Sequence, residues 1–266
     1  MDYIFLSDIH GNFEALQHLT KLPEYTDETV QFRFGGDYSD GFDLQPDAIK
    51  NTWVFIKNMT DNGRAIAILG NHDEFIVDAA FDPLKCTCWS ANGQDATLEN
   101  LGIQNVYPIT LSRNLYGWYP YEIRDFLLSE YHDYIHWLSE LPLICQDGNN
   151  ILVHAGFDLD VAIDDQPQST LLWTRHPYIS AENDLNPEDV HSDFVGKTII
   201  SGHTPTQILG KDGRIYHKPE LVNRYFIDGG SKGGQMAGRI NLLKLDADGN
   251  EIWRKYLTRD GIFDGE

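Results

Sequence analysis

Short apolar segments alternate with helical patterns in the first part of the chain. Residues 3–6 are apolar, and the apolar positions of residues 13–22 recur at the spacing of an α-helix. The same order returns at 29–34, which precedes a helical pattern over 46–59, and a third apolar segment follows at 65–69. Strands that alternate with helices in this way predict an α/β fold with a mostly parallel sheet.

The middle of the chain has a different pattern. From about residue 78 to 143 it is helical and aromatic, and we interpret this stretch as a helical insertion that lies over the sheet. We expect its aromatic side chains to serve packing rather than substrate contact. They are Trp89, Trp118, Tyr119, Tyr121, Tyr131, Tyr134 and Trp137. Apolar segments resume at 151–153, 198–201 and 225–227, and residues 240–256 predict a β-hairpin.

Composition narrows the choice of partners. The net charge of −21, from 41 acidic and 20 basic residues, disfavours a nucleic acid polymer or a membrane surface as the main partner, although acidic solubility alone would also explain it. No signal peptide is visible and no apolar run approaches the ~18 residues of a membrane span, so we expect a cytoplasmic protein. Because no repeat or linker interrupts the pattern, we expect residues 1–266 to form a single domain.

Five segments share one layout, in which an apolar strand is followed by a small residue and then by Asp, Asn or His. The five segments are Ser7-Asp8-Ile9-His10-Gly11-Asn12, Gly35-Gly36-Asp37-Tyr38-Ser39-Asp40, Gly70-Asn71-His72-Asp73, Val153-His154-Ala155-Gly156 and Ser201-Gly202-His203-Thr204-Pro205. Asp8 and Asp37 are separated by about the length of a strand-helix-strand unit, which places both at the carboxyl ends of neighbouring strands. One such segment is weak evidence, but five at strand ends predict a shared polar site.

Together these segments resemble the signature of the calcineurin-like metallophosphoesterases, which reads D-x-H, G-D-x-x-D, G-N-H-[DE], a later His and G-H. The matching positions run from Asp8 to His203, about three quarters of the chain. Within that superfamily, residues 171–175 (Leu-Leu-Trp-Thr-Arg) and the stretch from Trp89 to Leu98 are similar to serine/threonine phosphoprotein phosphatases and their bacterial relatives, which include symmetrical dinucleoside tetraphosphatases.

The resemblance implies a β-sandwich flanked by helices, with the helical insertion over the active site. It also implies two divalent metal ions at that site. It places Asp8, His10 and Asp37 on one metal, and Asp37, Asn71, His154 and His203 on the other. Carboxylate, imidazole and amide donors suit borderline ions such as Mn²⁺, Fe or Zn²⁺, and the ligands do not select among them. We favour Mn²⁺, with Fe, Zn, Ni and Co as alternatives. Two such ions can lower the pKa of a shared water, and the resulting bridging hydroxide is the expected nucleophile.

The resemblance also implies roles for three further side chains. His72 would protonate the leaving-group oxygen and Asp40 would orient its imidazole, while Arg175 would bind the phosphate. The alternatives are a histidine that caps its own loop and an arginine in a surface ion pair. Residues 225–234 are similar to a glycine-rich segment near the active site of the family, with an ordinary glycine-rich turn as the alternative.

One position departs from the family pattern. The second segment usually reads G-D-x-x-D-R-G, whereas Gly41 follows Asp40 here, so an arginine that would help to bind phosphate is missing. Arg33, Arg224 or Arg239 would substitute only if the fold brings one of them close. We expect Gly41→Arg to improve kcat/KM, provided that the backbone accepts a side chain at this position.

The favoured function is hydrolysis of phosphomonoesters, on phosphorylated peptides or proteins or on a small phosphoester, by an enzyme similar to the serine/threonine protein phosphatases. A second hypothesis is hydrolysis of a dinucleoside polyphosphate or another small phosphodiester. A third is a binding protein that has kept the fold and lost turnover, which the glycine at position 41 supports and the complete ligand set opposes.

Overall fold

The computed structural model describes residues 1–103, 119–175, 187–219, 221–233 and 238–265. The strands in these ranges are β1 (Asp2–Leu6), β2 (Val30–Phe34), β3 (Ala65–Ala67), β4 (Ile144–Asp147), β5 (Asn150–Val153), β6 (Thr198–Ser201), β7 (Tyr216–Pro219), β8 (Asn223–Phe226), β9 (Ile240–Leu245), β10 (Glu251–Thr258) and β11 (Gly261–Asp264). The α-helices are α1 (Phe13–Leu16), α2 (Ala48–Asp61), α3 (Asn71–Phe81), α4 (Gln94–Asn100), α5 (Tyr119–Glu130), α6 (His132–Ser139) and α7 (Gln168–Trp173).

The strands form two mixed sheets. The first has the order β11-β10-β9-β1-β2-β3 and the second the order β4-β5-β6-β8-β7. Neighbours β1–β2, β2–β3, β5–β6 and β6–β8 are parallel, and the other pairs are antiparallel. The α/β class with helices flanking the sheets is therefore confirmed. The expectation of a mostly parallel sheet is wrong, because β9 pairs antiparallel with β1, and β10 and β11 extend the first sheet through further antiparallel pairs.

Alternation along β1 shows how the layers are packed. Successive side chains of a strand point to opposite faces of the sheet. Tyr3 and Phe5 join a buried cluster with residues from β5, β6 and β8 of the other sheet, which is the core between the sheets. Ile4 and Leu6 join a cluster with buried residues of α2, α3, α5 and α6, which cover the outer face of the first sheet. A strand that is buried on both faces is apolar, as β1 is from Tyr3 to Leu6.

In the described parts of the insertion predicted over residues 78–143, the regular elements are helices, joined by turns. Trp118 and the side chain of Tyr119 lie outside the described residues. The rings of Tyr131 and Tyr134 lie 5.9 and 6.1 Å from that of Trp53 on α2, which supports a packing role for these aromatics. Among the helices of the described ranges, none has the length and apolar content that crossing a bilayer requires.

Candidate metal centre

The six side chains that the sequence singles out as metal ligands lie at one edge of the sandwich, where the parallel strands of both sheets end. Asp8 and His10 follow β1, and Asp37 follows β2. Asn71 begins α3 just after β3, while His154 and His203 come directly after the ends of β5 and β6. All six are buried. They are Asp8, His10, Asp37, Asn71, His154 and His203.

Four of these residues have a left-handed backbone. The φ angles are +54° at Asp8, +50° at His10, +58° at Asp37 and +64° at His203. This conformation costs a non-glycine residue about 1–2 kcal/mol, and it persists where surrounding contacts determine the loop. Here the backbone N–H of His10 donates to the carbonyl of Asp37 at 2.9 Å, and the N–H of His203 donates to the Asp8 carboxylate at 3.0 Å. The strand-end loops therefore support one another.

A close approach of two loops explains one of the glycines. A Cβ atom on Gly36 would lie 2.6 Å from both the Cα and the backbone nitrogen of Gly70. No side chain fits at that distance, so the loop after β2 can contact the loop after β3 only where both have glycine. This contact brings Asp37 next to Asn71.

Asp37 lies between two sets of donor atoms. On one side, His10 Nε2 lies 3.6 Å from Asp37 Oδ2, and His72 Nε2 lies 4.0 Å from the same oxygen. On the other side, His154 Nε2 lies 3.4 Å from Asp37 Oδ1. In each of the clusters His10–Asp37–His72 and Asp37–His154–His203, the donor atoms lie within 4.8 Å of one another. The carboxylate of Asp37 is thus the one member common to both clusters.

Asn71 lies against the second cluster, and the Asp8 carboxylate contacts the His203 backbone. Asn71 Oδ1 lies 2.8 Å from His154 Nε2 and 2.7 Å from His203 Nδ1. The Asp8 carboxylate accepts hydrogen bonds from Ser7 Oγ at 2.5 Å and from the His203 backbone, and it is not part of the cluster around His10.

Burial and charge shift the pKa values of these groups. Burial alone would raise the pKa of Asp37, but the imidazoles of His154, His72, His10 and His203 lower it below the ordinary value of an aspartate. Burial lowers the pKa of His10 to about 3, so its ring is neutral near pH 7. Burial, together with the charges of Asp228 and Asp37, raises the pKa of Asp8 well above its ordinary value.

The donor atoms fit divalent cations. His154 Nδ1 contacts the Gly35 carbonyl at 2.8 Å, and burial lowers the pKa of this ring. A neutral imidazole has one N–H, and the carbonyl requires it on Nδ1, so Nε2 has a lone pair. That lone pair faces the amide oxygen of Asn71 at 2.8 Å. Two acceptors that face each other in a buried, carboxylate-rich site need a positive charge between them.

His72 lies at the edge of the first cluster and is oriented by Asp40. His72 Nδ1 donates to Asp40 Oδ2 at 2.7 Å, which leaves Nε2 facing the site. Asp40 also accepts from Trp89 Nε1 at 2.9 Å and from the Thr97 hydroxyl. Residues 89 and 97 belong to the stretch that resembles the bacterial phosphatases, and through them this part of the helical insertion contacts the site.

Arg175, to which the resemblance assigns phosphate binding, lies beside His203. Its side chain is exposed, and Nη2 lies 3.4 Å from the His203 carbonyl oxygen. Of the three arginines considered as substitutes, Arg33 pairs with Asp147 at 2.5 Å, and Arg224 is buried on β8. Arg239 donates to the Gly213 carbonyl at 2.7 Å.

Sequence reasoning missed three charged residues at the site. Asp73 accepts the backbone N–H groups of Asp37 and Gly70 at 2.8 and 3.1 Å. Asp228 is buried beside Asp8, and burial raises its pKa to about 7. It follows an apolar strand in the same layout as the five segments, so that signal was present. Lys232 Nζ lies 3.1 Å from His72 Nε2. The similarity of residues 225–234 to a segment near the active site of the family indicated this region, but it gave Lys232 no role.

Comparison with known proteins agrees with this geometry. The model of a family described as calcineurin-like phosphoesterase matches residues 1–232. No curated protein sequence matches the chain. Among solved structures, a putative diadenosine tetraphosphatase is 15% identical, with a TM-score of 0.57 over 100% of this chain and 94% of the other. A protein serine/threonine phosphatase from Saccharomyces cerevisiae is 12% identical, with a TM-score of 0.53 over 100% and 80% of the two chains. At these identities both show the likeness of fold alone.

Proposed function

The chain belongs to the calcineurin-like phosphoesterase family, whose members are metal-dependent phosphoester hydrolases, and on that premise we propose that it hydrolyses phosphomonoesters. Phosphoserine and phosphothreonine side chains are the proposed substrates. One observation carries this proposal: two donor clusters share the Asp37 carboxylate, and the imidazole of His72 lies at their edge with its Nε2 facing the site.

The proposed ligands divide into two sets around Asp37. Asp8, His10 and Asp37 would bind one divalent ion, and Asp37, Asn71, His154 and His203 would bind the second, with Mn²⁺ as the proposed metal. When bound, the two ions supply Lewis-acid activation of a water and of the phosphoryl group. The chain itself supplies the shared carboxylate and neutral imidazoles, which burial keeps unprotonated near pH 7.

We assign His72 to the leaving group. Its Nδ1–H donates to Asp40, so a second proton on the ring sits on Nε2, which faces the clusters. From there the imidazolium can transfer that proton to the departing oxygen. Until the transfer, Asp40 stabilises the positive charge of the ring. Asp40 can act in this way because Trp89 and Thr97 donate to it and keep it in place.

Arg175 is the proposed contact to the phosphate on the His203 side of the site. A guanidinium offers parallel N–H donors that match two phosphoryl oxygens. The exposed Arg175 side chain begins at the end of α7, and Nη2 lies next to the His203 carbonyl. A substrate phosphate over the second cluster would therefore be within the range of this side chain.

Parallel assays test the proposal. The metal-loaded protein is given p-nitrophenyl phosphate, bis(p-nitrophenyl) phosphate, a phosphoserine peptide and a dinucleoside tetraphosphate. The highest kcat/KM is expected on the phosphopeptide, with turnover of p-nitrophenyl phosphate and little of the diester. A preference for the diester contradicts the proposal. No turnover of any substrate with two ions bound would favour a binding protein.

A dinucleoside polyphosphate is the second candidate substrate. The stretch that contains Trp89 and Thr97 resembles the bacterial members, and here both residues contact Asp40 directly. One solved structure of similar fold is described as a putative diadenosine tetraphosphatase. A kcat/KM for diadenosine tetraphosphate that exceeds the value for every phosphomonoester would select this function instead.

A further inference from the structure

The backbone at Gly41 leaves no space for a side chain. A Cβ atom there would lie 1.9 Å from the carbonyl oxygen of His10 and 2.7 Å from the Leu44 side chain. Contacts below 3 Å with a backbone atom require that the backbone move, and His10 is a proposed ligand. The expectation that Gly41→Arg improves catalysis is therefore wrong. Any cation that binds phosphate on this side of the site must come from another segment.

Lys232 comes from the segment that lies alongside residue 41. The backbone N–H of Phe42 donates to the Lys232 carbonyl at 2.8 Å, so the two segments are paired there. The lysine side chain is half-buried, and its Nζ lies 3.1 Å from His72 Nε2 and 3.0 Å from the Asn92 carbonyl oxygen. Its ammonium thus points to the same edge of the first cluster as the His72 imidazole.

We propose that Lys232 binds the phosphate of the substrate and is the positive charge on the His72 side of the site, opposite Arg175 on the His203 side. This inference rests on the proposed function and adds the residue that binds the phosphoryl group. An ammonium has three N–H donors. His72 and Asn92 accept two of them, and the third is directed to a phosphoryl oxygen.

Arg33 and Arg239 are engaged elsewhere. Arg33 donates to both Asp147 carboxylate oxygens, at 2.5 and 2.8 Å, and also to the Phe32 carbonyl. Arg239 contacts the Gly213 carbonyl, and its guanidinium lies 4.8 Å from the centre of the Tyr256 ring. Among the lysines of the described residues, Lys232 is the one whose Nζ contacts a side chain with a proposed catalytic role, that of His72.

A purely structural role is the competing explanation. Four nearby carboxylates favour the charged ammonium form of Lys232: those of Asp40, Asp37, Asp228 and Asp8. The lysine could therefore serve only to offset buried negative charge or to position His72. The two explanations differ in what they predict for inorganic phosphate. A phosphate-binding lysine affects the affinity for phosphate itself, whereas a positioning lysine affects proton donation to the leaving group.

The test compares Lys232→Met and Lys232→Arg with the wild-type chain, all loaded with Mn²⁺. Lys244→Met is the matched control. Lys244, on β9, is also largely buried, but its ammonium pairs with the carboxylates of Asp2 and Glu24. Binding of inorganic phosphate is measured by calorimetry. Phosphomonoester hydrolysis is measured on p-nitrophenyl phosphate and on phenyl phosphate, whose leaving group is far more basic. Metal content and thermal stability are checked for every variant.

We expect Lys232→Met to weaken phosphate binding by about ten- to hundredfold and to lower kcat/KM by a similar factor on both esters. Lys232→Arg should restore most of both, and Lys244→Met should change neither. Unchanged phosphate affinity in Lys232→Met overturns the inference. If kcat/KM then falls on phenyl phosphate alone, Lys232 is assigned to positioning His72. If the wild-type chain hydrolyses no phosphomonoester, the proposed function fails, and phosphate binding still decides the role of Lys232.

Discussion

Asp37 is the single residue on which both donor clusters depend. Its carboxylate is buried, and Oδ1 also accepts the backbone N–H of His72 at 2.9 Å. Asparagine has nearly the same shape and can keep that bond, so Asp37→Asn mainly removes the negative charge. Two cations that share one carboxylate lose the group that offsets their mutual repulsion.

We therefore predict that Asp37→Asn protein retains well below the two ions per chain that the family normally binds. Metal content after purification is measured by mass spectrometry, together with turnover of p-nitrophenyl phosphate, which should fall to background. Asp47→Asn is the control, because Asp47 also has a positive φ of 58° but is exposed at the start of α2. Normal loading of Asp37→Asn would mean that another group bridges the ions.

His72 poses a different question, because its Nε2 also belongs to the cluster with His10 and Asp37. If it is a general acid, His72→Ala keeps both metals and loses ~10² to 10⁴ in rate on phenyl phosphate. The loss should be much smaller on p-nitrophenyl phosphate, whose leaving group needs no proton. His132→Ala, an exposed histidine of α6, should match the wild type. Loss of metal in His72→Ala would make this residue a ligand.

The sequence identifies a candidate site residue when the residues next to it form a recognisable local pattern. His10 and Asp37 stand next to glycines, and Asp8 and Asp37 closely follow apolar strands, so the local pattern identifies them. Lys232 could not be found in this way, since its contact with His72 links residues 160 positions apart in the chain. Such pairings depend on how the strands order within each sheet, and no local pattern encodes that order.

At the scale of elements, the helical insertion supports the site through one short part. The 3₁₀ helix Cys86–Ala91 and α4 provide Trp89 and Thr97, both of which donate to Asp40. Helices α5 and α6 instead pack against α3 and the outer face of the first sheet. The insertion was predicted to lie over the active site. Within its described part, residues 86–100 supply these contacts with Asp40.

Thr97→Val tests this support with almost no change in shape. Valine removes the hydroxyl that donates to Asp40 Oδ1 and accepts the Asp40 backbone N–H at 3.1 Å. We predict unchanged metal content and a fall of about ten- to hundredfold in kcat on phenyl phosphate, since a hydrogen bond to a charged group contributes ~1.5–3 kcal/mol. The control is Thr52→Val, whose hydroxyl bonds to Ala48 within α2. Equal kcat in both variants would show that Asp40 does not need Thr97.

Local sequence patterns do not predict the exact boundaries and pairing of the helices and strands. The apolar spacing over 13–22 predicts one helix, but α1 ends at Leu16 and continues as a 3₁₀ helix, Gln17–Lys21. An i, i+3 apolar pattern fits either helix type. The hairpin expected over 240–256 is confirmed as β9 and β10, whereas β11 was not predicted. The pairing of β9 with β1 joins distant parts of the chain, which periodicity cannot reveal.

The candidate metal site spans the two sheets. Asp8, Asp37 and Asn71 follow strands of the first sheet, while His154 and His203 follow strands of the second. The site concentrates buried carboxylates in a chain whose net charge is already −21. Bound cations would offset this repulsion and connect the sheets at one edge, so their effect on stability should extend beyond a single loop.

We predict that chelation abolishes activity and lowers the Tm of the whole domain, and that adding Mn²⁺ restores both. At a free metal concentration 100 times Kd, one ion stabilises the folded chain by about 2.7 kcal/mol, which corresponds to a Tm shift of roughly 5–10 °C at this size. Scanning calorimetry of chelated and reloaded protein measures the shift. Asp37→Asn provides the control, because its Tm should respond little to the same additions. Full turnover or an unchanged Tm after complete metal removal would contradict a metal site that spans the two sheets.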